Sequence, residues 1–495
     1  LYRMTNLSDL FPAGAGKQVS FIASGTLSNG QTLALKSNGQ VEAISATGGG
    51  GVIGTPTAAN SNRVGTVRSA YDPDSGKVII VYQDSGGTAY GFYVIGTVSG
   101  TAITYGTPAV IVSYSFGSAA DVVYDTVNDK VVVAWRGSAG HGQVKIGTVS
   151  GTTISFGTQV EFNASASNDI MCAFRTVGGS PRVLICYADG GNSYNATAIL
   201  GTVSGTSISF GTAVVVYTGR WKEPQPAYSP LYGVFLVTYR DNANSDYPTA
   251  RTLSTSSGNT YVTAGAATIL ASTSVDETVC VYVTSNYRFA MFMRHSSNGY
   301  GIPLSITGTD PNWTVVAGNT ATFDAGNTPY SLASDYDALS QTCLVSFRQN
   351  STGLSKYTLA SLSGSNATAT ITFSALTTFD TNSIGDYPYA GVVYDTASSA
   401  TVVSYRGGSD YLTSTVIKTA SSNNTSFIGI ADGAISSAAS GNVTIKGGIA
   451  ASGLSSLTPA ADYYVQTDGT ISTSSAGVKI GKAMSATAIN LEYSS

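Results

Sequence analysis

Arginine recurs at one position of a repeated sequence pattern. Each copy has an aromatic residue, then a second large residue eleven or thirteen positions later, and the next residue is arginine in five of seven copies. The five are Arg136, Arg240, Arg294, Arg348 and Arg406. If the copies are equivalent in the fold, these guanidinium groups lie on one ring and could bind a sulfate, a carboxylate-bearing glycan or an acidic protein surface. The alternative is structural, with each arginine paired to a nearby carboxylate or carbonyl, or stacked on an aromatic ring.

A second candidate site is the charged and aromatic segment GRWKEPQPAY at residues 219–228. Arg220, Trp221 and Glu223 lie within this segment. A flat aromatic ring can pack against a sugar ring, while the charged groups hydrogen-bond to hydroxyls. We weigh two interpretations, a sugar-stacking platform and a loop that packs on its own repeat.

Catalytic residues are not evident in the sequence. The chain has two histidines, and it has no Ser/His/Asp set, P-loop or dinucleotide fingerprint. A glycosidase needs two carboxylates that face each other, and the few glutamates show no such pairing. Asp72-Pro73-Asp74-Ser75-Gly76 resembles the start of a calcium loop but lacks the downstream acidic ligand. We therefore expect no enzyme activity, no metal and no cofactor, with a polysaccharide-degrading enzyme as the alternative.

The composition excludes two classes of partner. Charged residues make up 11% of the 495 residues and the net charge is -4, without any basic run, so we expect no nucleic acid. No apolar run approaches the length of a membrane span. The abundance of glycine and tyrosine, with many Ser, Thr and Val residues, favours strands and tight turns over helices.

The repeats themselves predict the fold. Each copy reads as four short strands, and the period is just over fifty residues. This pattern is typical of a β-propeller blade, so we predict an all-β, seven-bladed propeller over residues 63–424. The seven pairs of large residues are Tyr71/Tyr82, Tyr124/Trp135, Phe174/Tyr187, Tyr228/Tyr239, Tyr282/Met293, Tyr336/Phe347 and Tyr394/Tyr405.

Within the repeats, Asp follows the first aromatic residue in four copies, at Asp72, Asp125, Asp337 and Asp395. An aspartate at a hairpin turn accepts hydrogen bonds from the backbone two residues on, so we expect these side chains to close turns.

Two cysteines flank the expected third hairpin. Cys172 and Cys186 lie symmetrically about Gly179, which leaves two interpretations open, a disulfide across the hairpin and a pair of buried thiols.

The flanks differ from the repeats. Residues 1–17 look like a tail, and residues 48–62 look like a linker rich in Gly, Ala and Asn. The segments SGTLSNGQTLALKSNGQVEAIS, FIGIADGAIS and YYVQTDGTIST resemble a module of tail-fibre-like and other virion structural proteins of bacteriophages. We therefore predict that residues 18–46 and 425–495 form one small β domain into which the propeller is inserted.

The resemblance implies a function. It predicts a bacteriophage virion structural protein, in a tail or capsid appendage, that displays the propeller for recognition of a host-surface glycan. Its partners would be other virion proteins, and the sequence leaves open whether the chain is a homo-oligomer. A secreted bacterial adhesin or filament subunit is a further alternative, which a secretion or anchoring sequence would distinguish.

Overall fold

The computed structural model describes residues 17–36, 39–44, 52–117, 119–175, 181–255, 260–381, 390–419, 426–466, 469–475 and 477–492. They divide into two compact units, one within residues 1–50 and 420–495 and the other within residues 51–419. In these ranges the only helical elements are three short 3-10 turns at Gly190–Asn192, Asn242–Asn244 and Asn366–Thr368. The all-β prediction is therefore confirmed.

No helix in the described part of the chain has the length and apolar character that crossing a bilayer requires.

The strands are numbered in chain order. Before the repeats they are β1 Gln18–Ile22, β2 Thr32–Leu35 and β3 Val41–Ala43. In the repeat unit they are β4 Val52–Ile53, β5 Thr57–Asp72, β6 Lys77–Asp84, β7 Tyr90–Ser99, β8 Ala102–Tyr105, β9 Ala109–Ser115, β10 Ala120–Asp125, β11 Lys130–Arg136, β12 His141–Ser150, β13 Thr153–Phe156, β14 Val160–Arg175, β15 Arg182–Asp189, β16 Asn195–Ser204, β17 Ser207–Phe210, β18 Val214–Tyr217, β19 Trp221–Ser229, β20 Val234–Asp241, β21 Tyr247–Thr255, β22 Val262–Ala264, β23 Thr268–Ile269, β24 Glu277–Val283, β25 Arg288–His295, β26 Asn298–Thr309, β27 Asn312–Ala317, β28 Ala321–Asp324, β29 Pro329–Asp337, β30 Thr342–Gln349, β31 Leu354–Ser363, β32 Thr370–Phe373, β33 Thr377–Asp380, β34 Ala390–Asp395, β35 Ala400–Arg406 and β36 Tyr411–Lys418. After the repeats they are β37 Phe427–Ala431, β38 Ser440–Ile445, β39 Ile449–Ala450, β40 Asp462–Val465, β41 Ile471–Ser472, β42 Val478–Ser485 and β43 Ala488–Leu491.

The flanking unit has two five-stranded sheets. The first has the order β1-β38-β37-β2-β3, so strands from both flanks combine in one sheet. Gln18 lies opposite Thr444, and Thr32 lies opposite Ile430. The second sheet, β39-β43-β42-β40-β41, comes from the C-terminal flank alone. The predicted tail falls almost wholly outside the described residues, as do residues 48–51 of the predicted linker.

The repeat unit consists of antiparallel groups, numbered 1 to 7 along the chain. The first or inner strand of each group pairs with the second strand, the second with the third, and the third with one or two short outer strands. The seven inner strands are β5, β10, β14, β19, β24, β29 and β34. Each inner strand contacts the next one, and β34 contacts β5, so the inner strands form a closed cycle.

The cycle is closed by strand sharing. The first half of β5 pairs with β36 of group 7, with Ala58 opposite Thr413, while its second half pairs with β6 of group 1, with Val67 opposite Tyr82. The prediction of a linker at residues 48–62 is therefore wrong for its later part. The backbone of β36 needs hydrogen-bond partners along its outer edge, and the small residues from Val52 onward supply them.

The second strands are the core of each group. Val131, Val132, Val133, Ala134 and Trp135 are all fully buried, although their side chains alternate between the two faces of the sheet. The continuous apolar runs in the sequence predicted burial on both faces, and the structure confirms it.

The two ends of each group differ. The hairpin between the inner and second strands lies at one end, which we call the turn end. The opposite end, where the inner strand begins and the second strand finishes, carries the repeated arginines, and we call it the arginine end. At the turn end Asp125 accepts hydrogen bonds from the backbone N–H groups of Val127 and Asn128, at 3.0 and 2.9 Å. Asp72, Asp337 and Asp395 close their turns in the same way.

Cys172 and Cys186 are buried free thiols, not a disulfide. Cys172 lies opposite Ile185, while Cys186 lies opposite Met171. Because adjacent residues of a strand face opposite sides of the sheet, the two sulfur atoms enter different core clusters. The predicted turn around Gly179 lies outside the described residues.

Candidate functional site

A cavity of about 820 Å³ lies inside the cycle of inner strands. All seven inner strands contribute to its lining, from the arginine end to the middle of the strands. We call it the channel cavity. Its charged lining residues are Arg68, Asp121, Arg136, Asp169, Arg220, Glu223 and Glu277. The cavity has the size of typical ligand sites, and it brings together side chains that are far apart in sequence.

β-bulges place two of these carboxylates. The pairing of β14 with β15 gains an extra residue after Asn168, and the pairing of β19 with β20 gains one after Lys222. The extra residues include Asp169 and Glu223, whose left-handed backbone φ angles are 54° and 50°. A bulge redirects a side chain that regular pairing would place elsewhere. Both carboxylates consequently line the channel cavity.

Arg220 connects two groups across the cavity wall. Its Nη2 and Nε atoms donate to Oδ2 of Asp169 at 2.8 and 3.2 Å. Its guanidinium carbon also lies 5.5 Å from the centre of the Tyr194 ring. The ion pair is partly buried, so Arg220 is fixed in place and still lines the cavity.

Arg240 lies behind Glu223. Its Nη1 donates to Oε1 of Glu223 at 3.3 Å and to the carbonyl oxygen of Asp276 at 2.8 Å, while Nη2 is 3.5 Å from Oδ2 of Asp246. Only 15% of the Arg240 side chain is exposed. The guanidinium group thus neutralises Glu223 and connects group 4 to group 5.

Arg294 has the equivalent position in group 5. Its Nη1 donates to Oδ2 of Asp276 at 2.9 Å, and its Nε lies 3.6 Å from Oε2 of Glu277. The guanidinium carbon is 4.3 Å from the centre of the Tyr330 ring, a cation–π distance. Arg294 is therefore held by two carboxylates and one aromatic face.

Glu277 is a buried acid of the cavity with a raised pKa. The pKa of its carboxyl is raised to about 7, mainly by burial. The nearby charge of Glu223 also raises this pKa, and its effect is larger than the opposing effect of Arg294. Its Oε1 accepts the backbone N–H of Ser331 at 3.0 Å. Burial also raises the pKa of Glu223, against the opposing effect of Arg240. The two glutamates share one cavity and each disfavours ionisation of the other.

Other buried carboxylates connect consecutive inner strands. Oδ2 of Asp121 in group 2 accepts the backbone N–H of Cys172 in group 3 at 2.7 Å. Oδ2 of Asp335 in group 6 accepts that of Tyr394 in group 7 at 2.7 Å. Burial raises the pKa of each carboxyl to about 6. These acids tie neighbouring inner strands together at the cost of desolvation.

The remaining predicted arginines differ in their surroundings. Nη1 of Arg136 donates to Oδ1 of Asn168 at 2.7 Å, and both residues line the channel cavity. Arg406 pairs with Asp410 at 2.9 Å. Arg348 is half-buried and lies opposite Tyr330 in the sheet.

Of the two interpretations of residues 219–228, the structure favours packing within the repeat unit for Trp221. Its indole is fully buried and packs edge-on against Tyr239, with ring centres 5.8 Å apart. The residue belongs to the apolar core between groups 3 and 4, since β19 begins at Trp221 and turns the ring away from solvent.

Of the residues in or beside the channel cavity, sequence reasoning named Glu223 but missed Asp169, Glu277 and Ser331. Asp169, Glu223, Glu277 and Ser331 recur at a constant spacing of 54 residues. Three acids at one repeat position are a signal that could have identified the cluster. Asp276 and Tyr330 have no comparable signal, because their contacts with Arg294 depend on the register of different groups.

Comparisons with known proteins bear on the fold. Neither a protein-family model nor a curated protein matches the chain. The BP39L lectin of Burkholderia pseudomallei is similar in structure, with a TM-score of 0.53 and 9% identity over 71% of this chain and 96% of that chain. The Aleuria aurantia lectin, solved with α-methyl-L-fucoside, has a TM-score of 0.39 and 14% identity over 66% and 98%. Sqt1 of Saccharomyces cerevisiae has a TM-score of 0.44 and 8% identity over 75% and 99%.

The similarity to the BP39L lectin, taken with the antiparallel groups, confirms the β-propeller part of the fold prediction. At 9% identity it identifies the architecture alone.

Proposed function

We propose that residues 51–419 form a seven-bladed β-propeller that binds a glycan in the channel cavity without catalysis. The closed cycle of seven inner strands supports the blade number, with each group as one blade. The observation that carries the binding proposal is the 820 Å³ cavity, whose wall presents arginines and carboxylates from five of the seven groups. The lectin with the same architecture supports the ligand class.

The charge balance of the cavity favours a neutral glycan. Three arginines and four carboxylates line it, and Arg240 and Arg294 stand directly behind two of those carboxylates. A sulfated or carboxylated sugar would have to compete with carboxylates already paired to the arginines. Sugar hydroxyls donate and accept hydrogen bonds, so they can join such a network without adding charge.

A glycan array followed by calorimetry tests the proposal. We expect the purified protein to bind neutral oligosaccharides, and Arg220→Ala to weaken that binding by about tenfold or more, because Arg220 and its partner Asp169 both line the cavity. Arg288→Ala is the matched control. Arg288 lies at the turn end and donates to the carbonyls of Ser363 and Gly364. Absence of binding to every glycan, or equal losses in both variants, would refute the proposal.

A second function has one observation in its favour. Glu223 and Glu277 face the same cavity, and a carboxyl with a pKa of about 7 is half-protonated at neutral pH, as a general acid requires. A glycoside hydrolase would use the protonated Glu277 for the leaving oxygen and an ionised partner for water or the sugar carbon. Release of reducing ends from a polysaccharide that binds, abolished in Glu277→Gln, would establish this function in place of simple binding.

The virion role stays a prediction. It depends on the flanking segments that resemble the bacteriophage module, at residues 24–45, 427–436 and 463–473. Electron cryo-microscopy of native particles containing this chain would test it. Propeller density attached to a tail or capsid would support the role, whereas free molecules or cell-anchored filaments would favour the adhesin alternative.

A further inference from the structure

The closing interface of the propeller differs from the other six interfaces between groups. At each interface, one residue of the outer strand points into the core of the next group, and the strand registers identify the equivalent positions. Six of these residues are large and apolar: Ile111, Phe162, Val216, Leu270, Phe323 and Phe379. Between groups 7 and 1 the equivalent residue is Ala59.

The filled interfaces show what the large residues do. The Phe162 ring packs on Tyr187 of the next group with ring centres 5.3 Å apart, and the Phe323 ring packs on Phe347 at the same distance. Facing glycines make room for these rings, because a Cβ atom on Gly142 or Gly299 would lie 2.3 Å from a ring carbon. The phenylalanine rings thus fill the interfaces in which they occur.

At the closing interface a cavity of about 280 Å³ remains. Leu412 replaces the facing glycine and is fully buried, yet it does not fill the space that a ring at position 59 would occupy. Tyr82 and Phe92 form one wall, stacked with ring centres 5.7 Å apart and planes at 17°. We call this space the seam cavity.

The seam cavity also contains polar groups with capacity to bind. Asp84 is only 4% exposed and lines the cavity together with Asn60 and Asn62. The side-chain bonds recorded for Asp84 come from its own loop, from the N–H of Gly86 at 3.0 Å and the hydroxyl of Thr88 at 3.2 Å. A carboxylate has about four acceptor sites, so two of them are left for a ligand.

The equivalent acids of groups 3 and 4 fill these acceptor sites with hydrogen bonds from the protein itself. Asp189 accepts an extra bond from Nδ2 of Asn163 at 3.0 Å, and Asp241 accepts one from the hydroxyl of Tyr217 at 3.0 Å. Asn163 and Tyr217 come directly after the large apolar residues Phe162 and Val216 in the sequence. Asn60 has the same position at the seam, but its Oδ1 accepts the backbone N–H of Leu412 at 2.8 Å. A bound hydroxyl group can therefore supply what Asn163 and Tyr217 supply to the other acids.

We propose that the seam cavity binds a single neutral monosaccharide unit, at a site separate from the channel cavity. The aromatic wall suits the C–H face of a pyranose ring, while Asp84 and the Asn62 amide suit its hydroxyls. The volume is just below the range of about 300–1,000 Å³ that holds drug-sized ligands, which matches one sugar ring and not a chain. The inference takes its ligand class from the proposed function but depends on different residues.

Calorimetry with the methyl α-glycosides of glucose, galactose, mannose, fucose and N-acetylglucosamine tests the inference. We expect at least one to bind the wild-type protein, and Ala59→Leu to weaken its binding by about tenfold or more, because the larger side chain fills the cavity. Val216→Leu is the matched control, since it enlarges the equivalent residue of another interface and should leave binding unchanged. Circular dichroism checks that both variants fold.

Three outcomes would overturn the inference: no monosaccharide binds, Ala59→Leu binds as the wild-type protein does, or Val216→Leu loses binding equally. If Ala59→Leu does not fold, a wild-type crystal soaked with the bound glycoside decides the question by the presence or absence of sugar density beside Asp84 and Phe92. Oligosaccharide binding that depends on Arg220 but not on Ala59 would leave the channel proposal intact while this one fails. The reverse pattern would overturn only the channel proposal.

Discussion

The two ends of the inner strands use acidic side chains in different ways. At the turn end, Asp72 and Asp125 bond to backbone atoms two and three residues further along the chain. At the arginine end, Asp169, Glu223 and Glu277 bond to Arg220, Arg240 and the backbone of Ser331, which lie 51, 17 and 54 positions further along the chain. The first set closes turns within one group, while the second set connects groups around a polar cavity.

This difference separates stability from binding. Replacement of a turn aspartate should weaken its own hairpin alone, because only that hairpin depends on its hydrogen bonds. A carboxylate of the arginine end shares a cavity with other charges, so its removal changes their pairing and their pKa values. The proposed function therefore belongs to the end whose contacts are non-local.

The largest expected effect on stability is that of Arg240→Met. Removal of the cation leaves Glu223 without its ion-pair partner, while Asp246 keeps Lys222 at 3.1 Å, so the free energy of unfolding should fall by roughly 3–5 kcal/mol. Chemical denaturation measures the change. The double variant Arg240→Met/Glu223→Gln should recover part of the loss, and Arg288→Met at the turn end should change stability by about 0.5 kcal/mol or less. Equal losses of unfolding free energy in Arg240→Met and Arg288→Met would contradict the difference between the two ends.

The next effect is a dependence of stability on pH. The pKa of Glu277 is about 7 in the folded protein against an ordinary value of 4.5, so the folded state binds more protons between these values. The contribution of Glu277 to the free energy of unfolding is fully present below about pH 4.5. It falls as the pH rises through 7, by up to about 3 kcal/mol. Asp121 and Asp335, with pKa values of about 6, act in the same direction.

Denaturation curves at several pH values check this sign. Glu277→Gln should flatten the fall above pH 5 in part, leaving the contributions of Asp121 and Asp335. A wild-type stability that rises between pH 5 and 7.5, or a variant with an unchanged slope, would contradict the assignment.

The smallest effect belongs to the turn end. Asp125→Ala removes two backbone hydrogen bonds and one from Nδ2 of Asn128, so we expect a loss of roughly 1–2 kcal/mol in unfolding free energy. Asp125→Asn keeps a carbonyl acceptor and should lose less. Glycan binding should be the same in both variants as in the wild-type protein, and weaker binding in either would show that the two ends are coupled.

The fold was predictable because its signals are periodic or local. Apolar runs, turn residues and the period of the aromatic pairs indicated strands, hairpins and propeller blades, and the turn aspartates could be assigned from four consecutive residues. The linker prediction failed because Ala58 and its neighbours have the composition of a loop, while their pairing partner Thr413 is 355 positions later. Local composition cannot reveal a strand whose partner is so distant.

The candidate site was predictable only in part. The repeated arginines were visible, but their partners depend on bulges and on contacts between groups, as with Glu223 beside Arg240 or Asp276 beside Arg294. The sequence left two interpretations open for Trp221, because an aromatic residue in a charged segment looks the same in sequence whether it faces solvent or the core. Burial, not residue type, decides that role.

The most direct test of the central claim is a structure of the protein with the neutral oligosaccharide that it binds most tightly on the array. The account predicts sugar density inside the channel cavity, within hydrogen-bond distance of Arg220, Glu223 or Glu277. Density only at the turn end or on the outer strands, with the channel cavity holding solvent alone, would contradict it.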